Sequence, residues 1–363
     1  MVHEERWDWV ALDLVPGVGP GRLTHLAHDV GNPRRVFENP GLAEPTLAQA
    51  IRRFDRDRAI RDQEARARAT GARLVLLADE EYPPLLKTIA SPPPYLFVRG
   101  RIVKEDTLAI AVVGSRHPTA YGVMTTERLA GDLARRGVTV ISGFARGVDT
   151  AAHRGALASG GRTIAVLGCG ADIVYPKENG VLMRDLASKG AIISQYPMGT
   201  PPLKEYFPVR NRTIAGMTLG TVVVEAAERS GSLITARFAG ELGREVFAVP
   251  GNISSAVSQG TNRLIQDGAK LVAGWQDVVD ELAPPFRQLV RADVETPAPE
   301  PAEAPAVTNH LLQLLGDDPV VVDRVIAESR LAPAEVSAML LDLELRGLVR
   351  QLPGQRYVRV SHG

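Results

Sequence analysis

The chain has 363 residues with 42 Lys+Arg against 42 Asp+Glu, so a uniformly basic surface is excluded and any polyanion contact must come from local cation clusters. An apolar share of 45% supports packed cores. The single cysteine, Cys169, excludes a disulfide framework and a cysteine-based zinc site. The start carries Glu4, Glu5, Arg6 and Asp8 rather than an apolar signal segment, and no apolar run is long enough to span a membrane. The expectation is a cytoplasmic protein of two or three units.

Residues 1–72 read as a helical module. Within it, Val15-Pro-Gly-Val-Gly-Pro-Gly-Arg22 has the look of a helix-hairpin-helix turn, whose backbone N–H groups can meet a phosphate. Its plainer reading is a Gly-rich helix connection. The Arg- and Asp-dense stretch Ile51–Arg68 reads equally as a solvated helix face.

Residues 73–284 repeat one pattern, a β-branched apolar run that ends in a small-residue turn before an amphipathic helix. The runs are Leu108–Gly114, Val138–Gly143, Thr163–Gly168, Ala191–Gln195, Thr221–Glu225, Glu245–Val249 and Lys270–Ala273. Helices are predicted over Thr125–Arg136, Asp149–Ser159, Asn179–Ser188, Ile234–Leu242 and Trp275–Leu282. Unbroken apolar strands alternating with helices specify an α/β fold: an extended Rossmann-like, doubly wound, mostly parallel sheet. Ligands then sit beyond the carboxyl ends of the strands.

Those ends carry the chemistry. Gly114-Ser115-Arg116 follows the first run but lacks the further glycines of a dinucleotide fingerprint, so NAD or FAD is not expected and no cofactor is assigned. Arg116 instead precedes a helix start, where N–H groups and the dipole favour an anion; its alternative is an ion pair at the strand end. Ser142-Gly143-Phe-Ala-Arg146 repeats the theme. Lys177 and Asn179 follow the third run, and the bland reading of Lys177 is a solvated loop. Phe207, Arg210, Asn211 and Arg212 group cations beside an aromatic ring, as single-strand binding uses them; the alternative places the ring in the core and one arginine on a carboxylate. Ser230-Gly-Ser232 opens another helix. His153 reads as structural. Arg116, Arg146, Lys177, Arg210 and Arg212 thus share one edge of one sheet, which suits an extended polyanion better than a single small phosphate. No His/Asp/Glu spacing suggests a metal, and no phosphate loop for ATP hydrolysis is present.

Taken together, Gly114-Ser-Arg116, Ser142-Gly-x-Ala-Arg-Gly-x-Asp149, Tyr175-Pro-Lys177, Phe207-Pro-x-Arg-Asn-Arg-x-Ile214, Ser230-Gly-Ser-Leu-Ile-Thr-Ala236, Ala248-Val-Pro-Gly251 and Asn262-x-Leu-Ile-x-x-Gly-Ala269 resemble, in order, the DprA (DNA-processing protein A, or Smf) family. The resemblance implies single-stranded DNA binding without catalysis, homodimerisation, and loading of the RecA recombinase during natural transformation and recombination. It places pocket cations at Arg116 and Lys177 and dimer contacts at Asn262, Ile265 and Leu271. The rival is a nucleotide-processing enzyme similar to the nucleoside-monophosphate phosphoribohydrolases. It would need a Pro-Gly-Gly-x-Gly-Thr turn, and this chain has Glu225-Ala-Ala-Glu-Arg-Ser-Gly-Ser at that place.

Residues 285–307 are rich in Pro, Ala and Glu and read as an extended linker. Residues 308–363 read as three helices (Asn309–Leu315, Val320–Ala327, Pro333–Gly347) and a hairpin turning at Pro353-Gly354, a winged-helix-like domain. Its recognition helix holds Glu335, Asp342 and Glu344 against Arg346 alone, so protein contact or an accessory role is expected there rather than strong duplex binding.

Overall fold

The computed structural model describes residues 3–291 and, between 311 and 359, all but 313, 316–318, 330, 332, 346, 347 and 353. The chain forms two compact units, one reaching Val294 and one starting at Glu295.

The first unit begins with five helices, α1 (His3–Asp13), α2 (Pro20–Val30), α3 (Pro33–Glu38), α4 (Pro45–Arg53) and α5 (Arg56–Thr70). The boundaries of α5 follow from its sequence: the Asp55 side chain accepts from the Arg58 N–H, and Gly71 ends the helix at φ 67°. A nine-stranded sheet follows. Its strands are β1 (Ala72–Leu76), β2 (Tyr95–Gly100), β3 (Ala109–Val113), β4 (Thr139–Ser142), β5 (Thr163–Leu167), β6 (Ala191–Ser194), β7 (Gly220–Val223), β8 (Glu245–Ala248) and β9 (Lys270–Leu271). The intervening helices are α6 (Pro84–Lys87), α7 (Ala120–Arg135), α8 (Val148–Ala158), α9 (Gly180–Lys189), α10 (Tyr206–Gly216), α11 (Gly231–Glu241), α12 (Gln259–Gln266), α13 (Trp275–Asp280) and α14 (Pro284–Arg287).

The strand order is β1-β2-β6-β5-β4-β3-β7-β8-β9. From β6 to β9 every neighbouring pair is parallel, and all residues of β3, β4, β5, β6 and β7 are buried, as a sheet covered by helices on both faces requires. The chain leaves β3 towards β4 and returns to the other side of β3 as β7. The loops after β3 and β7 therefore diverge from adjacent strands, and a crevice opens at that switch point.

Every parallel strand expected from the sequence is present; β1 and β2 are additions. They pair antiparallel with each other, and β2 joins β6 antiparallel, extending the sheet at one edge. This edge carries the helical module. Trp7, Leu12 and Leu47 share one core with Leu76, Tyr95, Phe97 and Met198, and the Trp7 and Phe97 rings lie 5.9 Å apart. The Gln63 amide closes the seam, donating to the Met198 carbonyl at 3.0 Å and accepting from its N–H at 2.7 Å. Residues 285–291, placed in the linker by composition, are structured: Phe286 and Val290 pack against the core between β3 and α13. The remainder of that linker lies outside the described residues.

In the second unit, Leu311, Leu315, Val325, Val336, Leu340, Leu343 and Val349 form a core under a three-stranded sheet. The chain runs β10 (Val320–Val321), α15 (Val322–Ser329), α16 (Pro333–Leu345), β11 (Val349–Leu352) and β12 (Arg356–Arg359). The predicted hairpin is β11–β12, with Gln351 opposite Tyr357. The predicted helix at Val320 starts two residues later because Val320 and Val321 pair with β12. Arg346 and Pro353 lie outside the described residues.

Candidate nucleic-acid interface

The crevice at the carboxyl ends of the strands is an open groove of about 730 Å³. Gly114, Ser115 and Arg116 line it from the end of β3, Tyr175 from the loop after β5, and Phe207, Arg210 and Asn211 from α10. Ser230 and Ser232 line it from the start of α11. This last element is a formed helix N-terminus: the Ser230 hydroxyl accepts from the Ser232 N–H at 3.4 Å, leaving first-turn donors and the positive dipole end beside the groove.

The centre is a cation on aromatic rings. The exposed Arg116 guanidinium lies 5.4 Å from the Phe207 ring centroid, and the Tyr175 ring lies 6.1 Å from Phe207 at 33°. Phe207 sits this low in the groove because Gly168 has no side chain; a Cβ there would come within 2.8 Å of the ring.

Arg210 has a different task from the one its sequence neighbourhood suggests. It is 4% exposed and lies beneath the groove floor. Its guanidinium donates to the carbonyls of Gly143 and Val166, at the ends of β4 and β5, and its Nε donates to Asn211 Oδ1 at 3.1 Å. Burial lowers its pKa, while the buried Asp149 carboxylate opposes that shift. Burial in turn raises the Asp149 pKa, against the pull of Arg210. Gly143 makes this approach possible, since a Cβ there would fall 2.7 Å from Asp149 Oδ2 and 2.8 Å from Arg210 Cζ. Arg210 thus ties two strand ends together and presents no free charge to a phosphate.

Arg212 does not share the groove. The segment after Phe207 is helical, and residues two apart in a helix point to different sides. Arg212 lines a separate cleft behind α10 and donates to the Ser91 carbonyl at 3.4 Å. The expected cluster of Arg210 with Arg212 is therefore corrected by the helical period.

Two further assignments change. Ser142 is fully buried and donates to the Val112 carbonyl at 2.7 Å, joining β4 to β3, so its hydroxyl does not reach the groove. Asn179 is 3% exposed and donates to Thr150 Oγ1 at 2.9 Å and to the Phe144 carbonyl, fixing the loop before α8. Arg146 is exposed at the rim and held by Glu178. Lys177 is exposed two residues beyond Tyr175 and does not line the groove. Lys204 and Arg229, absent from the sequence-based set, do line it, and both are exposed. The signal for Arg229 was its place immediately before the Ser-Gly-Ser helix start. Lys204 sits three residues before Phe207 on the chain leading into α10.

Of the other polar groups, His153 is a core residue. Its Nδ1 shares a hydrogen bond with Thr163 Oγ1 at 2.7 Å, and burial pushes its pKa down to about 3. Glu225 is also committed, accepting from the Thr119 N–H at 2.9 Å and hydroxyl at 2.6 Å at the start of α7. Among the described residues there is no His/Cys/Asp/Glu cluster able to hold a metal, and no helix is long and apolar enough to cross a membrane. At the far edge of the sheet, Leu271 of β9 is 44% exposed and Ile265 of α12 half-buried. Asn262 is tied to the Gly251 backbone by two hydrogen bonds of 3.1 and 3.0 Å.

A doubly wound sheet with a winged-helix unit, and an open cationic-aromatic groove at its switch point, defines a class of DNA-handling proteins rather than of dinucleotide enzymes. Residues 73–283 match the family model of DNA recombination-mediator protein A, and residues 295–355 match the DprA winged helix domain. The chain belongs to the DNA-processing protein A (DprA/Smf) family. It is 38% identical to Protein Smf of Escherichia coli over 97% of this chain and 95% of that protein. It is 33% identical to Protein Smf of Synechocystis over 99% of this chain and 100% of that one. Its fold is similar to that of Streptococcus pneumoniae DNA processing protein A, with a TM-score of 0.67 and 35% identity over 77% of this chain and 98% of that one. It is also similar to the Helicobacter pylori protein described for its single-stranded DNA binding mode. There the TM-score is 0.51 and the identity 29%, over 58% of this chain and 94% of that one.

Proposed function

We propose that this protein binds single-stranded DNA in the groove at the switch point and, without catalysing a reaction on it, passes the strand to the RecA recombinase in natural transformation and recombination. The observation that carries the reading is the Arg116–Phe207–Tyr175 cluster in an open groove. Ring faces are useful only to bases whose own faces are free, which a duplex does not offer. Arg116, Lys204, Arg229 and the start of α11 supply contacts for phosphates on either side. Arg146 and Lys177 extend the cationic rim.

The direct test is fluorescence anisotropy with a labelled dT oligonucleotide and a duplex of equal length. Single-strand preference supports the reading, and equal affinity sinks it. The RecA step is read separately, as RecA ATPase activity on DNA already covered by single-strand-binding protein. No stimulation by this chain removes that step and leaves DNA binding standing. Nucleoside monophosphates incubated with the protein should stay intact, with release of free base favouring the nucleotide-processing rival.

The exposed β9 edge, with Leu271 and the neighbouring Ile265, is the face we assign to homodimerisation. Asn262 would support it by fixing the Gly251 turn.

A further inference from the structure

Behind α10, on the side away from the groove, lies a cleft of about 550 Å³, within the size range of small-ligand sites. It is walled by α2 of the helical module, the chain after α6, the end of β6, α10 and α11. Leu23, Ile89, Pro93, Pro94, Val209 and Phe238 make it mostly apolar. A few polar groups converge on it from different elements.

Asp13, the last residue of α1, accepts one hydrogen bond, from the Tyr95 hydroxyl at 2.5 Å, to a single oxygen. Among the described residues its other oxygen has no partner, and no cation pairs with it. Arg212 makes only its one bond to the Ser91 carbonyl, at 3.4 Å, and no ion pair with any described residue. Gln195 uses its Oε1 on the Thr213 hydroxyl, which leaves its amide N–H groups open. An acid and a guanidinium thus line one apolar cleft without neutralising each other. Such a site suits a flat ligand that donates at one end and carries an anion at the other.

We propose that this cleft binds a guanine nucleotide. The Asp13 carboxylate would accept from the adjacent N1–H and exocyclic amine, a pair of donors that no other DNA base presents side by side. The Gln195 amide would donate to O6, and Arg212 would take the phosphate. The base can arrive as a free nucleotide or as an unpaired guanine of a bound strand. The site stands apart from the groove reading: dT binding can fail while guanine binding holds.

The experiment is calorimetric titration of the full chain with dGMP, dAMP, dCMP and TMP at about pH 8, above the titration of the buried Asp13, so that its carboxyl is ionised. dGMP should bind about tenfold or more tighter than the other three, the discrimination a bidentate contact gives. Asp13→Asn keeps an acceptor for Tyr95 and removes the carboxylate. It should abolish the preference while leaving dT oligonucleotide affinity unchanged, which also reports that the variant is folded. Arg212→Gln should weaken dGMP but not deoxyguanosine. Equal binding of all four nucleotides, or an undiminished preference in Asp13→Asn, overturns the proposal. The two sources separate in a second arm, a dT oligonucleotide against one with a single central dG. Tighter binding of the latter, lost in Asp13→Asn, assigns the site to the strand; equal binding alongside a dGMP preference assigns it to the free nucleotide.

Discussion

The two sides of α10 use the same residue types to opposite ends. Towards the groove, Phe207 carries an exposed guanidinium on its ring while Arg210 disappears beneath it. Towards the cleft, Arg212 stays half-buried with one weak bond, and Asp13 keeps a carboxyl group without a cation among the described residues. Three arginines within reach of one helix therefore stand as an exposed groove cation, a strand clamp and a cleft lining. What separates them is depth and helical phase, not sequence motif.

Substitution can test that division. Arg210→Met should have the largest effect, on stability: it strands two strand-end carbonyls and removes the cation that faces the buried Asp149. A loss of about 3–5 kcal/mol in chemical denaturation is expected, as when one member of a buried charged set is removed. Arg116→Ala should leave the denaturation midpoint in place, and equal losses for the two variants would erase the distinction.

Asp13 gives the next effect, through pH. Burial pushes its pKa up to about 7 from 3.8, against the Tyr95 hydrogen bond. The folded state then holds a proton that the unfolded chain has released, so this group's contribution to stability is full below about pH 4 and declines as pH rises to about 7. A tenfold change in proton affinity is worth about 1.4 kcal/mol, which sets a ceiling of about 4 kcal/mol on that contribution. Water entering the cleft lowers it further. Asp13→Asn should therefore gain on the wild type in melting temperature between acid and neutral pH; parallel curves would refute the assignment.

DNA affinity supplies the smaller effects. Phe207→Ala should cost about 1–3 kcal/mol of dT binding through lost stacking. Arg116→Ala should flatten the log–log salt dependence by about 0.7, one phosphate contact on a single strand. Arg212→Ala should change neither quantity for dT, and a salt slope as reduced as that of Arg116→Ala would put both arginines back in one groove.

Much of the architecture is legible in the chain itself. The parallel strands announce themselves as β-branched runs, and their small-residue ends mark the groove, because a sheet buried on both faces leaves little freedom in composition. Two elements are harder to read. Tyr95–Gly100 is an apolar run crowded by Pro92, Pro93 and Pro94, and its antiparallel role depends on the distant β6. The other is α10, whose signal is present: Pro208 lies in the first turn, where its missing N–H costs nothing. Without that helix, Arg210 and Arg212 merge into one cluster. Burial of Ser142 and Asn179 is beyond a sequence reading because their partners come from other strands and loops.

The shared core at the sheet edge has a practical consequence for dissecting the protein. The family match begins at residue 73, yet Leu76, Tyr95 and Phe97 are covered by Trp7, Leu12 and Leu47 from the helices before it. A fragment cut at that boundary would bare an aromatic face, and one starting at Leu108 would also lose β1 and β2 and leave β6 as an open edge. The boundary of the family match and the boundary of the packed core fall at different places along this chain. Truncation experiments on DNA binding should therefore keep the helical module and remove the region beyond Val294 instead.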